Sequence, residues 1–158
     1  MKKPKVTIIT GTPGTGKSTL AKKLAKERKA IVVDVNALIK KEKLFDGYDR
    51  SLKTSLVDIE KLNKKLLKLI KELQKEKKDI IIDSHLSHYL PPRVVDECIV
   101  TKCSKLLTLK RRLEKRKYSK KKVRENMDAE IFDVCALEAY VNKHKKIKIV
   151  DSCKRKKK

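Results

Sequence analysis

The sequence predicts an α/β fold in which helices cover both faces of a parallel β-sheet. Short runs rich in β-branched apolar residues alternate along the chain with segments whose apolar residues recur every three or four positions. Strands that alternate with helices form parallel sheets through right-handed crossovers. A length of 158 residues suits one domain with one core, which we assign to residues 1–153, followed by a basic tail at 154–158.

Five apolar runs are the strand candidates. The first run stops at Gly11, and the second and third stop at Asp34 and Asp83. Runs without polar alternation are typical of strands that are buried on both faces. The predicted strands are Val6 to Thr10, Ala30 to Val33, Ile80 to Ile82, Ile99 to Thr101 and Ile147 to Val150.

Helical spacing marks the segments between these strands. Ser55 with Asp58 is a candidate capping box for a helix from Ile59, and Ser119 is a candidate N-cap for a long last helix. The glycine and aspartates of "FDGYD" favour a loop. The apolar faces are Leu20, Ala21, Leu24 and Ala25; Leu38 and Ile39; Leu62, Leu66, Leu69 and Leu73; and Val123, Met127, Val134, Leu137 and Val141, with a basic helix at Leu106 to Arg116 before the last.

The chain carries a formal charge of +24, from 44 Lys and Arg against 20 Asp and Glu. A positive field of this size attracts nucleotides, nucleic acid and other anions. The same charge also fits a lysine-rich surface that is only a solvated coat. The basic residues are spread through the chain, so both explanations stay open.

Cysteine use and hydropathy point to an intracellular, soluble, cytoplasmic protein without a membrane partner. The four cysteines lack zinc-ligand spacing, and we expect them to be reduced thiols that are buried or inactive. No secretory leader is recognisable, and no apolar run approaches the length of a membrane span.

A glycine-rich motif follows the first strand. In "GTPGTGKST", Gly11, Gly16, Lys17 and Ser18 match G-x-x-x-x-G-K-[ST], and the motif lies between a strand and a helix as it must. Such a loop wraps phosphates with backbone N–H groups, its lysine reaches the outer phosphates, and its serine can bind Mg²⁺. The motif predicts a site for a nucleoside triphosphate, with ATP as substrate and Mg²⁺ as cofactor.

Asp83 and His85 follow the third predicted strand. A carboxylate at the end of an apolar strand beside a phosphate loop commonly holds Mg²⁺, directly or through water, although it could instead cap a helix or form a loop salt bridge. Close to a magnesium site, His85 is a candidate for positioning water or phosphate, and a surface role is the alternative.

Arg112 and Arg116 are one turn apart on the basic helix, next to Arg111. Planar guanidinium groups suit the charge that gathers during phosphoryl transfer. A solvated basic face explains the same residues equally well, and spacing alone does not decide between the two.

Several motifs together resemble the adenylate kinase isoenzyme 6 family of small P-loop proteins. Besides the phosphate loop, they are "LFDGYD" at Leu44 to Asp49, "IIDSH" at Ile81 to His85, "RLEKRKY" at Arg112 to Tyr118 and "ENMDAEIFDV" at Glu125 to Val134. They occur in the family's order and cover nearly the whole chain. The resemblance implies a nucleoside monophosphate kinase fold with a five-stranded parallel core, a monophosphate-binding region at about 36–64 and a short lid at about 112–122.

The resemblance also implies roles for individual residues. Asp83 and His85 would form the Asp-x-His variant of the second nucleotide motif, with Lys17 as a further catalytic residue. Lys40 stands where related kinases usually place an arginine for the acceptor phosphate, so acceptor binding could be weaker. ATP-binding residues would be Gly14, Thr15, Gly16, Lys17, Ser18 and Thr19; metal ligands Ser18 and Asp83; acceptor-binding residues Lys40, Asp46, Tyr48 and Arg93; and catalytic lid residues Arg112 and Arg116, with Tyr118 closing the lid.

The motifs alone do not determine which molecule accepts the phosphate. A nucleoside monophosphate already presents an anionic oxygen, so transfer to it needs positioning and positive charge but no general base. Water must lose a proton, and His85 is the local candidate for assisting it. We expect a nucleoside monophosphate kinase with AMP as acceptor and a slow ATPase activity. The alternative implied by the resemblance is an ATPase of small-subunit ribosome assembly that acts with a ribosomal protein and rRNA. A third alternative, a kinase that phosphorylates another small hydroxyl compound, is disfavoured because the sequence offers no separate general base for the hydroxyl.

Overall fold

A five-stranded sheet and a separate two-stranded hairpin make up the strand content of residues 2–154, which the computed structural model describes. The strands are β1 (Val6–Gly11), β2 (Ile31–Asp34), β3 (Phe45–Asp49), β4 (Thr54–Val57), β5 (Ile80–Asp83), β6 (Glu97–Lys102) and β7 (Ile147–Asp151). The helices are α1 (Lys17–Arg28), α2 (Val35–Glu42), α3 (Ile59–Gln74), α4 (Leu106–Lys115), α5 (Lys120–Ile131) and α6 (Val134–Val141), with 3₁₀ turns at Ser87–Tyr89 and Pro92–Val94.

The five-stranded sheet is parallel throughout and has the order β2-β5-β1-β6-β7. Its strands correspond to the five predicted runs, and the predicted α/β fold class is confirmed. Strand β1 lies at the centre, between β5 and β6. The loop after β1 and the residues after β5 therefore emerge side by side at the same edge of the sheet, as expected where strand order reverses.

Helices pack on both faces of this sheet. Successive β1 residues point to opposite faces. Ile8 belongs to the core beneath α3 and α6, whereas Ile9 belongs to the core shared with α1. A third cluster joins α4 and α5, built around Leu109, Leu113 and Val123.

The segment "FDGYD" was expected to be a loop, and this prediction is wrong. It forms β3, which pairs antiparallel with β4, with an irregularity in register between Phe45 and Gly47. Gly47 has φ 148°, a backbone conformation that a side chain would strain. Asp49 accepts hydrogen bonds from the N–H groups of Ser51 (2.9 Å) and Leu52 (3.0 Å), which closes the turn.

Two predictions about helix ends are also wrong. Ser55 lies in β4, and Asp58 alone caps α3 by accepting a hydrogen bond from the N–H of Lys61 at 3.1 Å. The single long helix after Ser119 is two helices, because Asp133 adopts a left-handed conformation (φ 51°) between α5 and α6. The reorientation exposes Leu137 and Val141, two residues of the predicted apolar face, and turns Ala136 and Ala139 towards the core.

Two of the four cysteines form a disulfide, so the expectation of reduced thiols is wrong for this pair. Cys103 follows β6 and Cys153 follows β7, and these neighbouring strands end at the same edge. Residues 50 positions apart in sequence therefore meet. Cys98 and Cys135 are free, and Cys98 is buried. Most of the predicted basic tail, residues 155–158, lies outside the described residues.

No helix within residues 2–154 is both long enough and apolar enough to cross a lipid bilayer.

Candidate functional site

The phosphate loop connects β1 to α1 and is shaped by three glycines. A side chain on Gly11 would place its Cβ 2.5 Å from the carbonyl oxygen of Thr101, so this position must be glycine. Gly16 is the N-cap of α1 and contributes no side chain that could bond the first-turn N–H groups. Those N–H groups and the positive end of the helix dipole remain available to an anion.

Lys17 lies across this loop. Its Nζ donates hydrogen bonds to the carbonyl oxygens of Gly11 (2.8 Å) and Thr12 (3.1 Å). Burial lowers the pKa of Lys17 to about 8, so the ammonium is still charged at neutral pH but poorly solvated. A half-buried cation that donates to carbonyl oxygens is well suited to binding phosphate oxygens, which carry full negative charge.

Ser18 and Asp83 come together at the mouth of the loop. The Ser18 hydroxyl donates a 2.7 Å hydrogen bond to the Asp83 carboxylate at the end of β5. Both are hard oxygen ligands of the kind that Mg²⁺ prefers, and their oxygens are close enough to bind one ion. Residues 2–154 contain no group of three His, Cys, Asp or Glu side chains that could hold a metal alone. Mg²⁺ usually binds through one or two protein oxygens together with water and substrate phosphates.

His85 faces the same cavity two residues after Asp83. Burial, reinforced by the charge of Lys17, lowers the pKa of His85 to about 4. The imidazole is therefore neutral at physiological pH, and a neutral ring can accept a hydrogen bond from a water molecule or donate one to a phosphate oxygen. Its low pKa makes it a group that orients water rather than a strong base.

These side chains open into a cavity of about 620 Å³, within the usual range for a nucleotide-sized ligand. The phosphate loop and the end of β5 form one side. The lining of the other sides comes from α2, the β3–β4 hairpin, and the segment from α4 to α5: Asp34, Asn36, Leu52, Thr54, Arg116, Tyr118, Lys122, Glu125, Asn126 and Ala129.

The two arginines predicted to act together have different positions. Arg116 ends α4 and lines the cavity with Tyr118. Arg112 instead supports the phosphate loop from its other side, because its Nη1 donates to the carbonyl oxygen of Gly14 (3.0 Å) and to the Ser152 hydroxyl (3.1 Å). The lid role of this segment stays a prediction.

The predicted acceptor-binding residues do not line the cavity. Lys40, Asp46, Tyr48 and Arg93 are all exposed, and their role stays a prediction. Thr15 is buried and bonds the carbonyl oxygen of Thr12 (2.6 Å) and the Thr101 hydroxyl (2.7 Å), so its side chain supports the loop from inside.

Sequence reasoning missed several lining residues. Asn36, Leu52 and Thr54 fall within the predicted monophosphate-binding region but were not singled out. Glu125 and Asn126 begin the motif "ENMDAEIFDV", and this motif could have identified them as candidate lining residues.

A parallel sheet with a phosphate loop at its central strand and a carboxylate at the end of the neighbouring strand defines a P-loop nucleotide-binding protein. A family model described as an AAA domain matches residues 8–133. "Putative adenylate kinase" of Methanocaldococcus jannaschii is 44% identical over 131 residues, which cover 83% of this chain and 70% of that protein. "Adenylate kinase isoenzyme 6 homolog" of Dictyostelium discoideum is 33% identical over 137 residues, covering 87% of this chain and 74% of that protein.

Two further comparisons agree with these. "Adenylate kinase isoenzyme 6 homolog FAP7" of Saccharomyces cerevisiae is 34% identical over 137 residues, covering 84% of this chain and 66% of that protein. The solved structure of Bacillus subtilis YorR protein in complex with phosphorylated GDP has a TM-score of 0.56 at 18% identity, covering 92% of this chain and 85% of that one, and shares the fold. The chain belongs to the adenylate kinase isoenzyme 6 family, whose AAA-type P-loop domain it contains, and is an adenylate kinase-like nucleotide kinase.

Proposed function

We propose that the protein transfers the γ-phosphoryl group of magnesium-bound ATP to AMP, forming two ADP, and that it also hydrolyses ATP slowly. The observation that carries the proposal is the convergence of Lys17, the Ser18–Asp83 pair and Arg116 on one cavity. The M. jannaschii and D. discoideum relatives are named as adenylate kinases, which supports the choice of AMP. Both nucleotides occur in the cytoplasm, where we expect the protein to act.

Transfer to AMP depends on charge and alignment. The N–H groups at the start of α1 and the Lys17 ammonium would bind the β- and γ-phosphates. Arg116, which lines the same cavity, would stabilise the charge that spreads onto the moving group. Ser18 and Asp83 would hold Mg²⁺, which when bound neutralises phosphate charge and fixes the phosphate orientation. The attacking oxygen of AMP is already anionic, so no side chain needs to remove a proton.

Hydrolysis places a different demand on the site. A water molecule at the γ-phosphate has to be oriented, and the neutral His85 ring lines the cavity beside Asp83. We propose that His85 orients this water, and that the low basicity of the ring keeps the reaction slow.

The acceptor side is proposed to involve Lys40, Asp46, Tyr48 and Arg93, which would have to approach a bound monophosphate from outside the cavity. Lys40 supplies charge without the bidentate geometry of an arginine. A modest affinity for AMP is therefore part of the proposal.

The deciding experiment is an acceptor panel. The protein is incubated with ATP and Mg²⁺, alone and with AMP, GMP, CMP or UMP, and ADP is quantified. The proposal expects AMP to raise ADP formation well above the ATP-only rate, and no acceleration by any monophosphate would refute it. Lys17→Met should abolish both reactions, whereas Lys22→Met, an exposed lysine on the same helix, is the matched control and should retain both.

A second candidate function is an ATPase in small-subunit ribosome assembly, acting with a ribosomal protein and rRNA. The net charge of +24 is compatible with an RNA-rich partner. Exposed apolar side chains around the α5–α6 junction also provide a surface for a protein: Ile131, Phe132, Leu137, Tyr140 and Val141. Stimulation of ATP hydrolysis by a purified small-subunit ribosomal protein, without any monophosphate, would favour this function over the kinase.

A further inference from the structure

A buried hydrogen-bonded chain runs from α6 to the end of β1, behind the cavity. His88 lies in the 3₁₀ turn after β5, and only 2% of its side chain is exposed. Its Nδ1 is 2.7 Å from the hydroxyl of Thr10, and its Nε2 is 2.5 Å from the carboxylate of Glu138 on α6. Thr10 is the residue immediately before the phosphate-loop glycine Gly11.

The carboxylate of Glu138 fixes the arrangement of this chain. An ionised carboxylate can only accept, so the Nε2 of His88 must carry the proton that it shares with Glu138. The hydroxyl of Tyr89 donates to the same carboxylate oxygen at 3.1 Å. Glu138 therefore holds both the ring of His88 and the tip of Tyr89, although 38% of its own side chain is exposed.

The same chain also anchors the segment that carries His85. With its proton on Nε2, His88 accepts at Nδ1 the single proton of the Thr10 hydroxyl, and His88 lies only three residues after His85. On the other side of His85, the N–H of Ser84 donates to the carbonyl oxygen of Ile9 at 3.1 Å. The backbone that carries His85 is thus attached to the end of β1 at two points, and the Thr10–His88 contact is one of them.

We infer that Glu138 is a positioning residue: through His88 and Thr10 it holds the backbone of His85 in the register that directs the imidazole at the γ-phosphate water. Glu138 and His88 touch no nucleotide, since neither lines the cavity. Because the inference assigns Glu138 to hydrolysis through His85, it rests on the proposed function. Transfer to AMP, which needs no oriented water, should depend on Glu138 much less.

The test compares hydrolysis and AMP transfer in the whole 158-residue chain. Glu138→Ala should lower kcat for ATP hydrolysis about tenfold, the lower end of what loss of an orienting partner costs, with KM for ATP and the AMP transfer rate within about threefold of wild type. Glu138→Gln keeps an oxygen that can accept from His88, so it should restore at least half of the hydrolysis rate. Glu72→Ala, which truncates an exposed glutamate on α3 that does not line the cavity, is the matched control and should behave as wild type.

A double-mutant cycle separates positioning from general stability. If Glu138 acts through His85, Glu138→Ala should have no further effect on hydrolysis in a His85→Ala background. Losses that multiply in the double variant, a rise in KM in place of a fall in kcat, or an equal loss in Glu72→Ala would each overturn the inference.

Two outcomes keep this test distinct from that of the proposed function. Should Glu138→Ala fail to fold, Thr10→Val interrupts the chain with a side chain of the same shape, and unimpaired hydrolysis in that variant would overturn the inference. Failure of the kinase proposal would appear as a wild-type protein that no monophosphate accelerates, and hydrolysis would still report on Glu138. Unimpaired hydrolysis in His85→Ala would contradict both the role of His85 and the inference drawn from it.

Discussion

The carboxylate of Glu97 offers a quantitative test of what stabilises the sheet. Glu97 begins β6, at the opposite edge of the sheet from the cavity, and 11% of its side chain is exposed. It accepts hydrogen bonds from Arg28 (2.8 Å) and Lys148 (2.9 Å). Burial alone would raise the pKa of Glu97, but the hydrogen bonds and charges of the two cations outweigh it and lower the pKa to about 2.

The magnitude follows from this shift. Moving the pKa from 4.5 to about 2 corresponds to about 3 kcal/mol, since one pH unit is worth about 1.36 kcal/mol. The folded state binds the proton less readily than the unfolded chain, so this stabilisation is complete above pH 4.5 and disappears as the pH falls towards 2. Replacing Glu97 with Gln should remove it and leave Arg28 and Lys148 as neighbouring positive charges.

Urea unfolding between pH 7 and pH 2 measures the effect. Glu97→Gln should be about 3 kcal/mol less stable than wild type at pH 7, and the gap should shrink towards zero near pH 2. The matched control is Glu114→Gln, because Glu114 is half exposed and its nearest cation, Lys110, is 4.0 Å away. A gap that does not change with pH would refute the reasoning. AMP transfer by Glu97→Gln at pH 7 should equal wild type, since the residue is remote from the cavity.

Three further predictions concern the site and its supports. Lys17→Met should reduce both phosphoryl transfer and hydrolysis by more than about 100-fold, measured as ADP formation under saturating ATP; residual activity above a tenth of wild type would contradict the role of the ammonium. Arg112→Lys keeps the charge, but a lysine cannot donate to the Gly14 carbonyl and the Ser152 hydroxyl at the same time. Its affinity for an ATP analogue, measured by calorimetry, should be about fivefold weaker, as expected for one lost hydrogen bond. Unchanged affinity would show that the loop does not need this support. Cys103→Ser should lower the free energy of unfolding by about 4 kcal/mol, the chain-entropy value for a loop of 50 residues. A dithiol reductant should destabilise the wild type but not this variant. Equal destabilisation of both proteins by the reductant would argue against the disulfide.

The centre of the site was predictable from sequence because its geometry is local. The motif from Gly11 to Ser18 determines its own loop shape, and a carboxylate at the end of β5 must emerge beside it in a parallel sheet. The meeting of Ser18 and Asp83 therefore follows from two sequence positions and one topological rule.

The outer parts of the site depend on packing between distant segments of the chain, which no local sequence pattern predicts. The "FDGYD" segment becomes a strand only because Thr54–Val57 pairs with it. The glycine and aspartates of "FDGYD" are typical of a loop, so the sequence pattern does not predict this pairing. Arg112 and Arg116 are one turn apart, but Arg116 lies where α4 ends, so only this second arginine lines the cavity. The disulfide and the Glu138–His88 contact join distant parts of the chain that only the tertiary fold brings together.

The positive charge of the protein also affects how the outer edge of β7 behaves in solution. This strand pairs with β6 on one side and is the last strand of its sheet, with Ile149 and Val150 partly exposed. An open strand edge with apolar side chains can pair with the same edge of another molecule. Lys145 and Lys146 precede this strand and are exposed, and their charge would repel an approaching copy, whereas the charge of Lys148 is paired with Glu97. Concentrated salt screens such repulsion, so the protein should be most prone to form strand-paired aggregates in high-salt buffers.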